Sequence, residues 1–384
     1  MQNSGRVGAR EIAVIGAGIT GLAVAFHLAE AGCPPLIVER TGVAAGASGV
    51  QPGGVRQQWG TRLNCELARE ALGFYRELTE RLDVEVPVHF AECGYLFVAH
   101  GAERLEQLRR SVDLQNEAGV PSRIVDGAEA AELVPGLEAG AIAGAAWCAE
   151  DGYFDNARSV VEAFAEAACA RRTELSYGDV RALERNGSGW RLVLHDGTYV
   201  DAQHVVIAAG ADTPDLLRPL GVELPIAREA RHLFFSDAIS ERLLEPLVIS
   251  SERRFAAKQL ADGRVLASDL SATGDPEAGR DRWRAQVGAV IDELLPILRY
   301  ASFPLLVTGW YDVTPDNQPI LGRVDGLPGL HLAAGFSGHG FMLAPAVGQR
   351  IAGSVLGCEP DDALTQLSLD RFDQGSLHRE LETV

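Results

Sequence analysis

Apolar and polar positions repeat along this chain with two periods, and each switch between them marks a predicted element. Residues 11–15, EIAVI, form a short β-branched apolar run bounded by glycines, which reads as a buried parallel strand. Gly21 to Ala31, GLAVAFHLAEA, is a run of small and apolar residues closed by Gly32, the pattern of a packed helix. Leu36 to Glu39 reads as a second buried strand, so a βαβ unit opens the chain. After a Gly/Ala/Ser-rich loop at 41–60, Leu63, Leu67, Leu72, Tyr75, Leu78 and Leu82 fall near helical spacing over residues 61–82.

Further along, Gly94 to Ala99 predicts a strand, residues 103–115 a helix, and residues 157–171 a helix that Asp155 is placed to cap. Residues 185–212 read as a β-meander with turns at Asn186-Gly187 and Asp196-Gly197, ending in a buried strand over 204–209. Residues 225–307 alternate like an antiparallel sheet, broken by a helical stretch from about Asp281 to Leu298. Leu330 to Ala334 predicts a last strand, followed by a helix reaching about Leu356. The expected fold class is α/β. A Rossmann-like nucleotide-binding domain (residues 1–85, 150–220 and 308–384) carries an inserted, mainly antiparallel β domain for substrate (residues 86–149 and 221–307).

A chain of 384 residues with 47% apolar and 23% charged composition can bury a sizeable core without staples. Its net charge of −19 makes nucleic acid and anionic membrane poor partners. The 34 basic residues include a single lysine, Lys258. Six cysteines lack CxxC or zinc spacing, so neither a disulfide framework nor a structural metal is expected. The stretch MQNSGRVGAR has no signal-peptide core and no apolar run spans a bilayer, which points to a cytoplasmic protein.

The first chemical motif is Gly16-Ala17-Gly18-Ile19-Thr20-Gly21, lying between a strand and a helix. Gly16 permits the tight turn, Gly18 the approach of a pyrophosphate, and Gly21 close helix–strand packing. Glu39 closes the second strand 18 residues after Gly21, where a carboxylate accepts hydrogen bonds from an adenosine ribose, as FAD and NAD require. Further glycine-bearing segments (Ala47-Ser48-Gly49 with Gly53-Gly54, Ala208-Ala209-Gly210, and Gly335 to Gly340) suit an extended cofactor better than NAD.

These segments, with GASGVQPGGVRQQWG, GYLFVA, VVIAAGA, GWYDVTPDNQPILG and AAGFSGHGFMLAPAVG, occur in order from end to end of the chain. Together they resemble the FAD-dependent amine oxidoreductases that include D-amino acid, glycine and sarcosine oxidases. Within that family the likeness is to monomeric sarcosine oxidase and to the catalytic subunits of sarcosine oxidase and L-proline dehydrogenase complexes. The resemblance implies FAD contacts from Gly16, Gly18, Ile19, Thr20, Gly21, Glu39, Arg40 and Ser48. It adds Gly53, Gly54, Val55, Val180, Ala209, Gly210, Gly309, Gly338, His339, Gly340, Phe341 and Met342.

The resemblance puts Arg56 against the substrate carboxylate, a role that a planar guanidinium fork suits; the alternative is a surface arginine or a strut of the flavin loop. Tyr311 matches a tyrosine facing the substrate, with a core aromatic as the rival reading. Gly309 stands where some sarcosine oxidases carry a flavin-linked cysteine, so the FAD is expected to be noncovalent. Gly338-His339-Gly340 precedes Pro345, placed as a first-turn proline of a helix aimed at the flavin. Met342 replaces a lysine of the sarcosine oxidases, and His339 reads as a structural loop histidine. The family's oxygen-activating lysine aligns nearer Ser268 than Lys258, so Lys258 is either its substitute on an adjacent strand or a solvent-facing strand lysine.

The implied activity is oxidation of the C–N bond of a secondary amino acid (sarcosine, another N-methyl amino acid, or proline) to an imine, with O2 reduced to H2O2. The alternatives are a dehydrogenase subunit serving another acceptor through a partner subunit, and an oxidase of glycine or other primary amino acids.

Overall fold

The computed structural model describes residues 6–85 and 88–380; the expected domain boundary at residue 86 and the outermost residues of the first and last expected segments lie outside them. The strand expected at 11–15 runs from Arg6 to Ile15 (β1), followed by the helix Ile19–Glu30 (α1) and the strand Leu36–Glu39 (β2). β1 lies between β2 and the strand Tyr199–Ile207, parallel to both. Its interior residues Ala13 and Val14 are wholly buried, which is why the run carries no polar alternation. Glu174–Tyr177 flanks β2, the meander Val180–Asn186 and Gly189–Leu194 continues the other side, and Leu330–Ala334 adds a further parallel partner to Tyr199–Ile207.

A second eight-stranded sheet runs in the order Leu305–Val313, Ala227–Ala238, Arg264–Asp269, Phe255–Gln259, Leu247–Ser250, Tyr95–Ala99, Gly144–Cys148 and Arg123–Val125. Its pairings are antiparallel except that Leu247–Ser250 runs parallel to Tyr95–Ala99, a join between distant segments that alternation cannot encode. One face is covered by the helix Pro276–Leu294, whose Trp283, Val287 and Ile291 pack with Phe234, Phe255 and Val265. The other face carries Ala256, Lys258, Leu266 and Ser268 over the site, since Ala256 pairs with Ser268 and Lys258 with Leu266. A third sheet joins Gly54–Val55 and Ala91–Glu92 to Gly152–Tyr153.

Several predicted boundaries move for identifiable reasons. The amphipathic stretch at 61–82 is two helices, Arg62–Arg76 and Leu78–Leu82. The helix at 157–170 is capped by Asn156, whose side chain accepts the Ser159 N–H at 3.3 Å, while Asp155 instead accepts the Ala261 N–H at 3.0 Å. The helix expected from 281 begins at Pro276 because Asp275 caps it through the Glu277 N–H. Pro345 lies inside the helix Gly340–Val355, not in its first turn. An imide there has no N–H for the Phe341 carbonyl four residues back, and the Tyr75 hydroxyl donates to that carbonyl instead.

The end of the described chain returns to the site. Arg371 forms a buried bidentate pair with Asp316 (2.9 and 3.1 Å) and donates to the Gln318 carbonyl. Glu380, fully buried, accepts the Gly60 N–H at 2.9 Å and the Asn64 amide at 2.9 Å. Residues 60 and 64 follow directly on the loop that carries Arg56.

Candidate active site and cofactor cleft

A cleft of about 570 Å³ runs from the β1–α1 turn to the second sheet. Gly16, Gly18, Ile19, Thr20, Glu39, Arg40, Ser48, Val180, Ala209, Gly210, Gly309, Gly338, Gly340 and Phe341 line it, drawing together segments up to about three hundred positions apart. Two glycines of the turn are required by space. A Cβ on Gly16 would stand 2.5 Å from the Ala208 carbonyl oxygen, and one on Gly21 would strike the Gly16 carbonyl. Gly21, Gly53, Gly54 and Val55 are not on the cleft surface; they hold the wall behind it.

Glu39 ties that turn together. Its carboxylate accepts N–H groups of Ala17 (2.8 Å), Thr41 (2.8 Å) and Gly42 (3.1 Å). Burial pushes the carboxyl up, but these donors outweigh it and hold Glu39 below the usual glutamate range, so it is anionic at neutral pH. Arg40 reaches outward to Asp212 at 2.8 Å. The helices α1 and Gly340–Val355 both begin at the cleft without a cap from the N-cap residue itself, and at α1 the Ser48 hydroxyl accepts the Ile19 N–H at 3.1 Å; their N-terminal dipoles face an anionic guest. An elongated groove with an acid for a ribose, a glycine turn and a helix N-terminus for a pyrophosphate, and a second helix N-terminus at its far end fits a dinucleotide such as FAD.

A smaller cavity of about 100 Å³ meets the cleft at Gly309, Tyr311, Gly338 and Phe341. It brings together all three residues expected to act in catalysis: Arg56 and Tyr311 toward substrate and Lys258 toward O2. The cofactor candidates His339 and Met342 also face it. Arg56 is fully buried, which excludes the surface reading. Its guanidinium stacks 3.8 Å from the Trp59 ring centroid, lies 5.2 Å from that of Phe97, and donates to the Gln58 carbonyl. The Trp59 indole N–H donates to the Arg56 carbonyl at 3.0 Å. Tyr311 lies under Gly338, where any Cβ would strike its ring.

Lys258 is 1% exposed, so it is not a solvent-facing strand lysine. Its Nζ lies 3.8 Å from the Tyr153 ring centroid and donates to the Phe154 carbonyl at 3.4 Å. Burial lowers its pKa to about 7, with the Asp155 carboxylate opposing. Burial, aided by the Arg56 charge, lowers His339 to about 3, so the imidazole is neutral; its ring meets Trp59 edge-on at 4.5 Å. That suits a structural histidine.

Two supports of the site escape local sequence reading. Asp151 accepts the Gln57 N–H at 2.8 Å and the Gln58 amide at 3.0 Å, fixing the two residues that directly follow Arg56. Burial raises Asp151 to about 6, with those two donors and Arg56 opposing. Arg231, on the strand Ala227–Ala238, also lines the small cavity, 5.4 Å from the Tyr311 ring centroid. Its odd position in the alternation was the available signal: Ala230, His232 and Phe234 are buried on the opposite face.

The profile of the FAD dependent oxidoreductase (DAO) family matches residues 11–353, nearly the whole chain. This chain belongs to the FAD-dependent oxidoreductase family. FAD is therefore its cofactor, and it is a flavin-dependent oxidoreductase of the amino acid oxidase and dehydrogenase type. Among solved structures, an L-proline dehydrogenase from P. horikoshii superposes with a TM-score of 0.89 at 25% identity, over 96% of this chain and 99% of that one. A glycine oxidase from Pseudomonas aeruginosa is 28% identical over 91% of this chain and 95% of its own length. A 4-methylaminobutanoate oxidase (formaldehyde-forming) from Paenarthrobacter nicotinovorans is 27% identical over 94% of this chain, which spans only 45% of that protein. Among the described residues no helix is long and apolar enough to cross a membrane, and no cluster of metal-ligating side chains occurs.

Proposed function

We propose that this family member oxidises the C–N bond of a secondary amino acid such as sarcosine, another N-methyl amino acid or proline, giving an imine that hydrolyses in water. The observation that carries the reading is Arg56, a fully buried guanidinium on the small cavity beside the cofactor cleft. A buried arginine offers a carboxylate two parallel charge-assisted hydrogen bonds in a setting where water competes little. Tyr311, at the junction of the two cavities, adds a hydroxyl toward the same guest. FAD, when bound, accepts the hydride equivalent from the substrate carbon. The chain positions that carbon and excludes water: Met342, Phe341, Leu247 and Leu266 make much of the wall apolar, and with the cations Arg231 and Lys258 also on it the protonated amine is disfavoured and the neutral form favoured.

The residues that line the cleft hold the cofactor in this reading, and Gly309 leaves it noncovalent because it has no side chain to link. The strands of the first sheet then belong to the cofactor domain and those of the second to the substrate domain, save residues 308–313 of Leu305–Val313, which fall in the cofactor segment 308–384. Lys258 lines the roof and supplies a cation for O2 reduction to H2O2. The likeness to an L-proline dehydrogenase favours a second reading, in which the acceptor is not O2; a partner subunit that takes the electrons belongs to that reading. Anaerobic mixing with N-methyl, cyclic and primary amino acids tests the first: bleaching of the flavin by secondary but not primary amines supports it, and no bleaching by any amine removes it. Turnover in air with stoichiometric peroxide distinguishes oxidase from dehydrogenase.

A further inference from the structure

The small cavity carries more positive charge than one carboxylate requires. Arg56, Arg231 and Lys258 line it and no aspartate or glutamate among the described residues does, in a chain whose net charge is −19. The two arginines occupy different neighbourhoods. Arg56 is sealed against Trp59 and Phe97, and its charge acts on Tyr95 and His339. Arg231 stands opposite Gly309 in register, beside Tyr311, and its charge acts on Tyr311 and His232. Gly309 adds no side chain to the wall at that position.

Arg231 is held in place by Glu229, with Nη2 and Oε2 2.8 Å apart and the side chains 28% and 37% exposed. An ion pair this open to solvent is weak. A carboxylate arriving from inside the cavity meets the same guanidinium with less water around it, so it can displace Glu229.

Resting on the assignment of this cavity to substrate, we propose that Arg231 binds a second acidic group and that the substrate is an N-substituted amino diacid. Its α-carboxylate goes to Arg56 and its other carboxylate to Arg231, which leaves the nitrogen-bearing carbon between two anchors at the mouth of the cofactor cleft. Arg231 is then a specificity-determining residue, since a single-carboxylate substrate uses only the inner anchor.

The test uses the FAD-loaded protein and two pairs of probes: sarcosine with N-methylaspartate as substrates, and acetate with glutarate as unreactive ligands read by perturbation of the flavin absorbance. N-methylaspartate is expected to show a KM about tenfold or more below that of sarcosine, the scale of one added charge-assisted contact. Arg231→Met should erase that difference and weaken glutarate about tenfold while changing acetate less than about twofold. Glu229→Gln, which frees Arg231 from its competitor, should tighten glutarate by a factor of about two to five, an effect that a purely structural Arg231 does not give. Equal losses for acetate and glutarate in Arg231→Met, glutarate binding unmoved by either variant, or a lower KM for sarcosine would each overturn the proposal. Should no amine bleach the flavin, the oxidation reading fails, and the glutarate measurements still decide on Arg231.

Discussion

Tyr75 does for Pro345 what a backbone amide would otherwise do: its hydroxyl donates to the Phe341 carbonyl that the proline cannot serve. The two residues belong to helices that pack against each other, one following the Arg56 loop and one beginning at the cofactor cleft. Tyr75→Phe leaves that buried carbonyl without the donor, and unfolding by denaturant should show a loss of about 1–3 kcal/mol. Adding Pro345→Ala restores an N–H at the right position and should recover much of the loss. A double variant no more stable than Tyr75→Phe would refute this account.

Arg56→Met keeps the volume near Trp59 and removes the fork. If Arg56 anchors a carboxylate, kcat/KM should fall by roughly 30- to 1000-fold, equivalent to about 2–4 kcal/mol. FAD content should be unchanged, because Arg56 does not line the larger cleft. Stopped-flow reduction of the bound flavin at increasing substrate reads the loss directly.

Lys258 predicts a pH dependence. With its pKa lowered to about 7 by burial, the ammonium is present below about pH 7 and lost above it. Reoxidation of the reduced enzyme by O2 should therefore slow as pH rises through 7, and Lys258→Met should be slow and flat across the same range. An unchanged rate in Lys258→Met ends the role. In the folding equilibrium the sign is the reverse: the unfolded lysine binds its proton up to about pH 10.5, so this group's contribution to stability grows between about pH 7 and 10.5.

Glu39→Gln keeps the size of the side chain but replaces one of two acceptor oxygens, each bonded to backbone N–H groups, by a donor. Retention of FAD should weaken about tenfold or more, measured as flavin fluorescence released on dilution. Equal retention would mean that the ribose is held elsewhere.

The parts of the molecule legible in the sequence are those whose physics is local. β1, α1 and β2 follow from a buried run, a glycine turn and a helix of small residues, and Glu39 follows from its distance to that turn. Arg56 was legible because its motif is contiguous. Asp151 was not, since it steadies Gln57 and Gln58 from 94 and 93 positions away through contacts that have no periodic signature. The parallel join of Leu247–Ser250 to Tyr95–Ala99 was hidden for the same reason. The cap of the 157–170 helix failed on a one-residue choice between two good capping side chains, Asp155 and Asn156, decided by a distant N–H on Ala261.

The grip of Arg371 on Asp316 and of Glu380 on Gly60 and Asn64 has a bearing on biosynthesis. The Arg56 loop is translated first, and Glu380, which clasps its trailing end, emerges more than three hundred codons later. A nascent chain therefore lacks the buried acceptor of Gly60 and Asn64, and with it a finished seat for the amine, until residue 380 has been made.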